Sequence, residues 1–414
     1  MNPASRTNES PPAPDAEVII IGAGPVGLLL ANLLGANGVR AVVFDQRATP
    51  LTSSMAIGIT PPSMEILKAL NLDSVFRDAG VPVRHAEVYE SRTRVGRLDF
   101  AGIKSDYQFF LSIPQARTVQ ILRSNLDRFS CVKVHEGVEF TDLTEEVDGV
   151  RVTLRGTADQ VSFELRSRYI VGADGHRSAV RETAGLTVQE KIYPQRFVMA
   201  DFEDRSGLGD EARLFFTPQA SVESFPLPGG WRRWIVLAVD LNGEAPEEYL
   251  IRTVQRLAGY DLGQERPRFV STFGAKWMLA NRYQTGRVLL AGDAAHVMSS
   301  IGGQGMNTGF ADAEMLAEVL SRVMRQPKAK AACFAAYDRI RRKSFEVAAK
   351  RAQRGMWLGT RRGLVASWFR RLLIRHVLFS ALLKRRLAPH FAMLTIPYCN
   401  LSHVPQECLT MFNY

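Results

Sequence analysis

The chain is poor in cysteine. It has four in 414 residues, Cys131, Cys333, Cys399 and Cys408, scattered without the spacing of a metal clip or a redox pair. That scarcity argues against a disulfide framework and against zinc, so no metal is expected and a reducing compartment suits the chain. Residues 1–14 (MNPASRTNESPPAP) are polar and proline-rich, and they lack the apolar core of a secretory signal. They read as a disordered tail, and a cytoplasmic location is expected. Long uncharged apolar runs are also missing. Leu372 to Leu383, the longest in the C-terminal part, contains Arg375 and is too short and too charged to span a bilayer. No internal repeat is visible.

Acidic residues are scarce in one place only. Between Arg339 and Arg386 there are 15 Lys or Arg against the single Glu346, a local charge of +14 in a chain whose net charge is +10. The remainder carries 37 basic and 41 acidic residues. The basic excess is therefore confined to one C-terminal segment. Within 355–390 it alternates with Leu, Val, Ile, Phe and Trp, so a helix there would set a cationic flank beside an apolar stripe. Peripheral contact with an anionic membrane is one reading, and ordinary packing with solvated arginines is the other. No recognition motif accompanies the charge, so nucleic acid is not expected as a partner.

What is present is an ordinary globular composition, 46% hydrophobic and 23% charged, long enough for two or three domains. The informative stretch runs from Val18 to Asp45. Val18 to Ile21 is a β-branched run suited to a strand buried on both faces. Gly22-Ala23-Gly24-Pro25-Val26-Gly27 follows, then an apolar helix from Leu28 to Leu34 that closes near Asn37-Gly38, then a second strand from Ala41 to Phe44. Asp45 ends that strand, 18 residues after Gly27. Gly22 permits the tight turn, Gly24 lets a pyrophosphate approach the backbone, and Gly27 lets helix and strand pack closely. The helix N-terminus offers free N–H groups to the diphosphate. Asp45 can accept hydrogen bonds from adenosine ribose hydroxyls, which argues for a nucleotide without a 2′-phosphate.

Further along, a helix is expected from about Ser63 to Leu70 and a hairpin over Ala86 to Phe100, turning near Arg94 to Gly96. Another helix is expected from about Arg117 to Phe129. A second hairpin pairs Val138 to Phe140 with Val150 to Leu154, and a strand over Phe163 to Gly175 ends in Ala173-Asp174-Gly175. From Arg196 to Phe273 alternating runs dominate (Phe197 to Phe202, Ala212 to Phe216, Val222 to Pro226, Trp234 to Val239), with one helix near Pro246 to Leu257. This reads as an inserted antiparallel sheet. Arg287 to Leu290 is a buried strand leading into Ala291-Gly292-Asp293-Ala294-Ala295-His296, and a helix is expected from about Gln304 to Val323.

Three motifs in this order resemble the class A flavoprotein monooxygenases, the family of p-hydroxybenzoate hydroxylase and related aromatic hydroxylases. They are Gly22, Gly24, Gly27; Val171 to Arg181 around Asp174-Gly175-His176-Arg177; and Gly292-Asp293-Ala294-Ala295-His296 leading to Gly302-Gly303-Gln304-Gly305-Met306-Asn307. With Pro114-Gln115 they span about residues 15 to 340. The resemblance implies an α/β fold. A Rossmann-like, glutathione reductase-like FAD-binding domain (15–85, 111–190 and 274–340) would carry an inserted antiparallel β-sheet substrate domain (86–110 and 191–273), followed by a basic helical segment (341–414).

The same resemblance implies that Gly22, Gly24, Pro25 and Gly27 hold the FAD pyrophosphate and that Asp45, with Gln46 and Arg47, takes the adenosine ribose. Gln115 would lie along the flavin side, Gly292 and Asp293 would bind the ribityl chain, and Asp174 and Gly175 would hold the flavin and the passing nicotinamide. The loop Ser300, Gly302, Gly303 and the turn Gly303, Gly305, Met306, Asn307 would meet the flavin ring, where a helix N-terminus favours the anionic reduced form. Taken alone, Asp174-Gly175 is more often a type I′ turn than a cofactor contact, and His296 reads as a structural hydrogen-bonding residue. Ser300 stands where relatives usually have proline, and Met55 where arginine is common. The tryptophan motif of flavin halogenases is not matched by Trp231 and Trp234, which read as sheet packing. There is no second glycine fingerprint, so one dinucleotide is held permanently.

The implied activity is that of an FAD-dependent monooxygenase. NAD(P)H would be a transient co-substrate and O2 would act through a flavin C4a-hydroperoxide, hydroxylating or epoxidising a small hydrophobic aromatic, quinone-like or polyketide-like substrate. That substrate would lie between the inserted sheet and the flavin, with Arg213, Phe215, Glu223 and Phe225 as candidates for facing it. The alternatives are a dehydrogenase or reductase of a lipid-like substrate on the same scaffold, and a flavin-binding module without turnover.

Overall fold

The computed structural model describes residues 15–49, 56–239, 241, 243–263, 265–299, 303–374 and 384–397. The β-branched run becomes the strand Ala16–Ile21, which lies between two parallel neighbours, Ala41–Asp45 and Ser162–Gly172. Both faces of this strand are covered, and Val18, Ile19 and Ile20 are each 0% exposed, which is why the run is continuously apolar rather than alternating. Val132–Glu136 adds beyond Ala41–Asp45, and Val288–Leu290 adds beyond Ser162–Gly172, both in parallel. Residues 288–290 therefore return the chain to the edge of the first motif. An antiparallel pair, Val138–Glu145 with Val150–Gly156, extends from Ser162–Gly172. The helices Pro25–Ala36 and Gln304–Arg325 pack against each other on this sheet. The architecture is a Rossmann-like α/β domain with a second, substrate-type sheet.

That second sheet has eight strands, in the order His296–Val297, Phe269–Ala280, Val188–Glu203, Trp231–Ala238, Ser221–Leu227, Ala212–Phe216, His85–Glu90 and Thr93–Asp99. All its pairings are antiparallel except Ala212–Phe216 with His85–Glu90. The helix Pro246–Ala258 covers one face, where Leu250, Val254 and Leu257 pack with Val222, Trp234 and Val236. A small sheet of Gly58–Ile59, Val81–Val83 and Phe110–Ser112 joins the two large ones.

Several boundaries differ from the sequence reading, each for a local reason. The first hairpin turns at Ser91, which takes φ 56°, while Arg94 to Gly96 continue the strand past a bulge at Val88/Tyr89. The helix expected from Ser63 starts at Pro61, since proline is tolerated in the first turn. The helix expected over Arg117 to Phe129 is Gln115–Asn125 followed by a 3-10 turn Leu126–Arg128, which brings Gln115 into its first turn. The strand Ser162–Gly172 stops before Ala173-Asp174-Gly175. Val188–Glu203 and Phe269–Ala280 run unbroken across the expected domain boundaries at 190 and 274, so the long strands themselves bridge the two domains.

The C-terminal part begins earlier than 341, as the 31-residue helix Lys330–Thr360. It is followed by Leu364–Leu372 and Lys384–Phe391. Part of its positive charge is structural. Arg341 and Arg370 are each 1% exposed and paired, to Asp312 and Glu90. Among the described residues no helix is long and apolar enough to cross a membrane. Met55, Ser300, Gly302, Cys399, Cys408 and the tail 1–14 lie outside the described residues.

Candidate active site

The first glycine turn is closed by close approaches. A Cβ on Gly27 would sit 1.9 Å from the Gly22 carbonyl oxygen, and one on Gly22, at φ +111°, would sit 2.3 Å from the Ala173 carbonyl. Gly24 differs, because nothing lies within 4 Å of a Cβ there, so its surface is open. Gly24 also caps the helix Pro25–Ala36 with no side chain satisfying its first N–H groups. This leaves backbone donors and the positive dipole end for an anion. The turn packs against the Ala173-Asp174-Gly175 segment, so the first and second motifs form one structure.

A cavity of about 170 Å³ opens beside Gly24, lined among others by Pro25, Asp45, Arg47, Gln115 and Arg123. Asp45 accepts hydrogen bonds from the Ala23 N–H (2.8 Å) and from Arg47 through Nε (2.9 Å) and Nη2 (2.8 Å). Burial would raise its carboxyl, but the Arg47 and Ala23 hydrogen bonds outweigh that and hold it below its ordinary value. Asp45 is thus a carboxylate at the cavity wall. Gln46 is exposed and does not line this cavity. Arg123 was not singled out by sequence reasoning, although it follows Gln115 and Val119 at helical spacing and all three line the cavity.

Farther along, the 3-10 turn Gly292–Ala294 is fixed from behind. Asp312 accepts from the Gly292 N–H (3.0 Å), from His296 Nε2 (2.6 Å) and from Arg341 Nε (2.7 Å). Burial opposes ionisation of Asp312, yet His296 and Arg341 outweigh it and hold the carboxyl at about 2. His296, 1% exposed and stacked 4.6 Å from Phe345, is therefore a structural residue. Asp293 is exposed on the front of the turn, and the protein packed around its carboxyl displaces enough water to raise it above its ordinary value.

Gly303, at φ 63°, caps the helix Gln304–Arg325, again without a side-chain cap. Asn307 spends its amide on the protein. Its Oδ1 accepts from the Thr60 N–H (2.9 Å), and its Nδ2 donates to the Gly58 (3.0 Å) and Gly303 (2.8 Å) carbonyls. It is thus a positioning residue that ties the 58–60 strand to the turn. Met306 is half-buried against the core.

Bound FAD fits these residues on two observations. Gly24, Gly175 and Gly305 present open backbone where a Cβ would meet nothing within 4 Å. Asp174 Oδ1 and Gln304 Oε1 are buried without a hydrogen-bond partner, as polar atoms facing an absent ligand would be. The other oxygen of Asp174 accepts from the Val180 N–H (3.2 Å). Among the described residues no cluster of His, Cys, Asp or Glu could hold a metal.

The four sheet candidates do not share a face. Arg213 and Phe215 point toward the helix Pro246–Ala258, with Arg213 Nη1 donating to Tyr89 Oη and Tyr260 Oη (both 3.1 Å). Glu223 and Phe225 occupy the opposite face, since Arg213 pairs with Ser224 and Leu214 with Glu223. That correction follows from the two-residue alternation of strands. The Glu223 face also carries Leu214 and Phe216, which pack with Leu358 and Ile374 of the C-terminal helices. Phe225 packs on the same cluster as Phe110, and a Cβ on Gly303 would sit 3.3 Å from the tip of the Phe110 ring. Ser112 Oγ donates to the Pro226 carbonyl (2.6 Å), closing the same wall. On the side of the helix Lys330–Thr360, an opening of about 570 Å³ is lined among others by Tyr193, Gln195, Gln353 and Met356. Met356 Sδ contacts Ser299 Oγ (3.5 Å).

Comparison with known proteins agrees with this geometry. The family model described as an FAD binding domain matches residues 15–352. The 6-methylpretetramide 4-monooxygenase of Streptomyces rimosus is 36% identical over 329 residues, covering 76% of this chain and 57% of that protein. The rifampicin monooxygenase of Streptomyces venezuelae is 32% identical over 309 residues, covering 72% of this chain and 62% of that protein. The chain thus spans about 57% to 62% of the length of these two curated relatives. The crystal structure of p-nitrophenol 4-monooxygenase from Pseudomonas putida DLL-E4 superposes with a TM-score of 0.84 at 25% identity, covering 92% of this chain and 98% of that one. With the glycine turn, Asp45, the Asp293 turn and the Gly303 helix cap in this arrangement, the chain belongs to the class A FAD-dependent aromatic hydroxylases.

Proposed function

We propose that this chain is an NAD(P)H- and O2-dependent monooxygenase that hydroxylates or epoxidises a hydrophobic aromatic or polyketide-like molecule. The observation that carries the reading is the meeting of two surfaces at Phe110, where the uncapped turn at Gly303 and the Phe225 face of the second sheet share one wall. Bound FAD would supply the redox chemistry, with NAD(P)H and O2 consumed and one oxygen atom delivered to the substrate and the other to water. The protein's part is positional. The Gly24 and Gly303 helix ends place donors and positive dipole ends at negative charge. Asp45, Arg47 and Arg123 hold the adenosine side, while the Asp312, His296 and Arg341 network keeps the Asp293 turn rigid. Phe225 and its apolar neighbours exclude water from the reacting centre.

The monooxygenase names of the relatives favour oxygen insertion over the dehydrogenase alternative. The test is to incubate FAD-loaded protein with NAD(P)H, O2 and a panel of phenols, quinones and polyketides. A product heavier by one oxygen atom is expected. A product lighter by two hydrogens would reassign the chain as a dehydrogenase, and NAD(P)H oxidation unmoved by any of these compounds would leave it a binding module.

A second contact is favoured by the helix Leu364–Leu372, which is inside out. It buries Ser367 and Arg370 against Glu90 and exposes Leu364 (80%), Val365 (82%), Trp368 (65%) and Phe369 (54%). Arg361, Arg362 and Arg371 flank this apolar stripe. We propose that this helix rests on an anionic membrane surface. Cosedimentation with anionic liposomes at low salt, lost in Trp368→Glu, is expected, and failure of the full chain to cosediment removes the proposal.

A further inference from the structure

The strand Val188–Glu203 carries an irregularity that the groove and the sheet face do not use. Its pairing with Phe269–Ala280 runs from Ile192 opposite Lys276 to Arg196 opposite Gly274, so Tyr193, Pro194 and Gln195 share the space facing Ala275 alone. Such a bulge bends a strand and re-aims its side chains off the ladder. Tyr193 and Gln195 line the opening of about 570 Å³, whose other wall is the end of the helix Lys330–Thr360 with Gln353, Met356 and Trp357. That volume lies in the range of small-molecule sites.

The lining is cationic and aromatic. Lys191, Arg361 and Arg362 border the opening, no acidic side chain does, and none of the three is ion-paired to a described residue. Two of them lie over rings: Lys191 Nζ is 5.3 Å from the centroid of Tyr193, and the Arg361 guanidinium is 4.7 Å from that of Trp357. Trp357 is still 51% exposed, which leaves indole surface for a planar ligand. Gln195 Oε1 is buried without a hydrogen-bond partner, so the wall of the cleft holds an acceptor that calls for a donor. The negative end of the helix is itself occupied, since Arg370 Nη1 donates to the Arg361 carbonyl (2.8 Å) and stands 3.5 Å from that of Leu358. Unpaired cations, free ring surface and a buried amide acceptor are the complements of a purine nucleotide's phosphates, base and exocyclic amine.

We propose that this cleft docks the phosphoadenosine end of NADPH, with the adenine stacked beside Trp357 and its amino group donating to Gln195 Oε1, and with Arg361, Arg362 and Lys191 holding the 2′-phosphate and the diphosphate. This rests on the NAD(P)H-dependent reading and names the coenzyme as NADPH rather than NADH. The chain has no second glycine fingerprint. The groove beside Gly24 is walled by the Asp45 carboxylate, which suits a nucleotide without a 2′-phosphate. A second, phosphorylated dinucleotide therefore needs a separate seat that has cations and no acid. Met356, on the wall of the cleft, meets Ser299 (3.5 Å), and Ser299 precedes the Gly303 cap in the chain, so the cleft adjoins the segment that leads to that turn and the nicotinamide end runs that way.

The test is titration calorimetry of 2′,5′-ADP and of 5′-AMP into oxidised, FAD-loaded protein, so that the first groove is filled and no turnover is involved. For the wild type, 2′,5′-ADP is expected to bind at least about tenfold more tightly than 5′-AMP, and more weakly as salt rises. Arg361→Ala and Arg362→Ala should each lower 2′,5′-ADP affinity about tenfold and change 5′-AMP affinity less. Gln195→Leu should weaken both nucleotides to the same degree, because it removes a contact to the shared adenine. FAD stoichiometry and absorbance verify folding in every variant. Equal affinity for the two nucleotides, binding of neither, or arginine variants that bind 2′,5′-ADP as the wild type does would overturn the proposal. If the predicted profile is found but product mass shows no added oxygen, the hydroxylase reading fails and the nucleotide cleft stands. If oxygen is inserted while 2′,5′-ADP binding ignores Arg361 and Arg362, the cleft proposal falls and the hydroxylase reading stands.

Discussion

In the nucleotide groove the surface offered to a ligand is mainly backbone: the open Gly24, the uncapped N–H groups of two helices, and the turns at Gly292 and Gly303. On one face of the second sheet it is side chains, with Glu223, Phe225, Leu214 and Ile235 projecting from a regular ladder. The first surface admits no side chain at Gly22 or Gly27 and fixes where a dinucleotide lies. The second can be rewritten one side chain at a time without disturbing the strands, so one scaffold can serve many substrates. Under the proposed function the groove is the seat of the shared chemistry and this sheet face the seat of selectivity.

The largest effect is expected where the backbone cannot yield. A methyl at Gly27 would lie 1.9 Å from the Gly22 carbonyl oxygen, so Gly27→Ala should lower FAD affinity at least about 100-fold, read by flavin retention on desalting. A yellow Gly27→Ala protein with ordinary affinity would break the backbone half of the comparison. Next comes Asp312→Asn, which strips a buried charge cluster of its anion and should cost about 3–5 kcal/mol in denaturant unfolding. Because the folded Asp312 carboxyl sits at about 2, below its ordinary 3.8, its stabilising contribution is present above pH 3.8 and is lost as pH falls through about 2. The difference between wild type and Asp312→Asn should shrink over that window.

Glu223 reverses the sign. Its folded carboxyl sits at about 7 against an ordinary 4.5, so its contribution is favourable below pH 4.5 and is lost as pH rises through about 7. Glu223→Gln should therefore gain stability relative to wild type over that rise, a gain read in urea midpoints at pH 5 and pH 8. An unchanged difference would mean that the fold does not disfavour the ionised Glu223 carboxylate. The smallest effect is expected at Arg213→Lys, on the reverse face, where KM for an aromatic substrate should move less than about twofold. A larger rise there would put the substrate on the wrong face for this account.

The groove was legible because its chemistry depends on residue types no substitute can supply. Gly22, Gly24, Gly27 and Asp45 at their spacing announced both the turn and its ligand, and the Gly292–His296 and Gly303–Asn307 segments followed in order. The roles were less legible than the positions. Asn307 serves the Thr60 and Gly303 backbone, and Gln46 faces solvent, because spacing along a chain does not say which way an amide points. Arg123 was missed because the helix was started two residues late, which left Gln115 outside the face the two share. On the sheet the strands Ala212–Phe216 and Ser221–Leu227 were found closely, yet the register between them pairs Arg213 with Ser224. That register is set by the turn between the strands and by packing under Pro246–Ala258, and alternation along one strand does not reveal it. The four candidates consequently divide between the two faces, two on each.

The most direct test of the central claim is a crystal structure of the FAD-loaded protein with 2-naphthol bound. The account predicts the flavin ring against the Gly303 turn and the naphthol ring between it and Phe225. A naphthol ring seated on the Arg213 and Phe215 face, or a flavin ring away from Gly303, would contradict it.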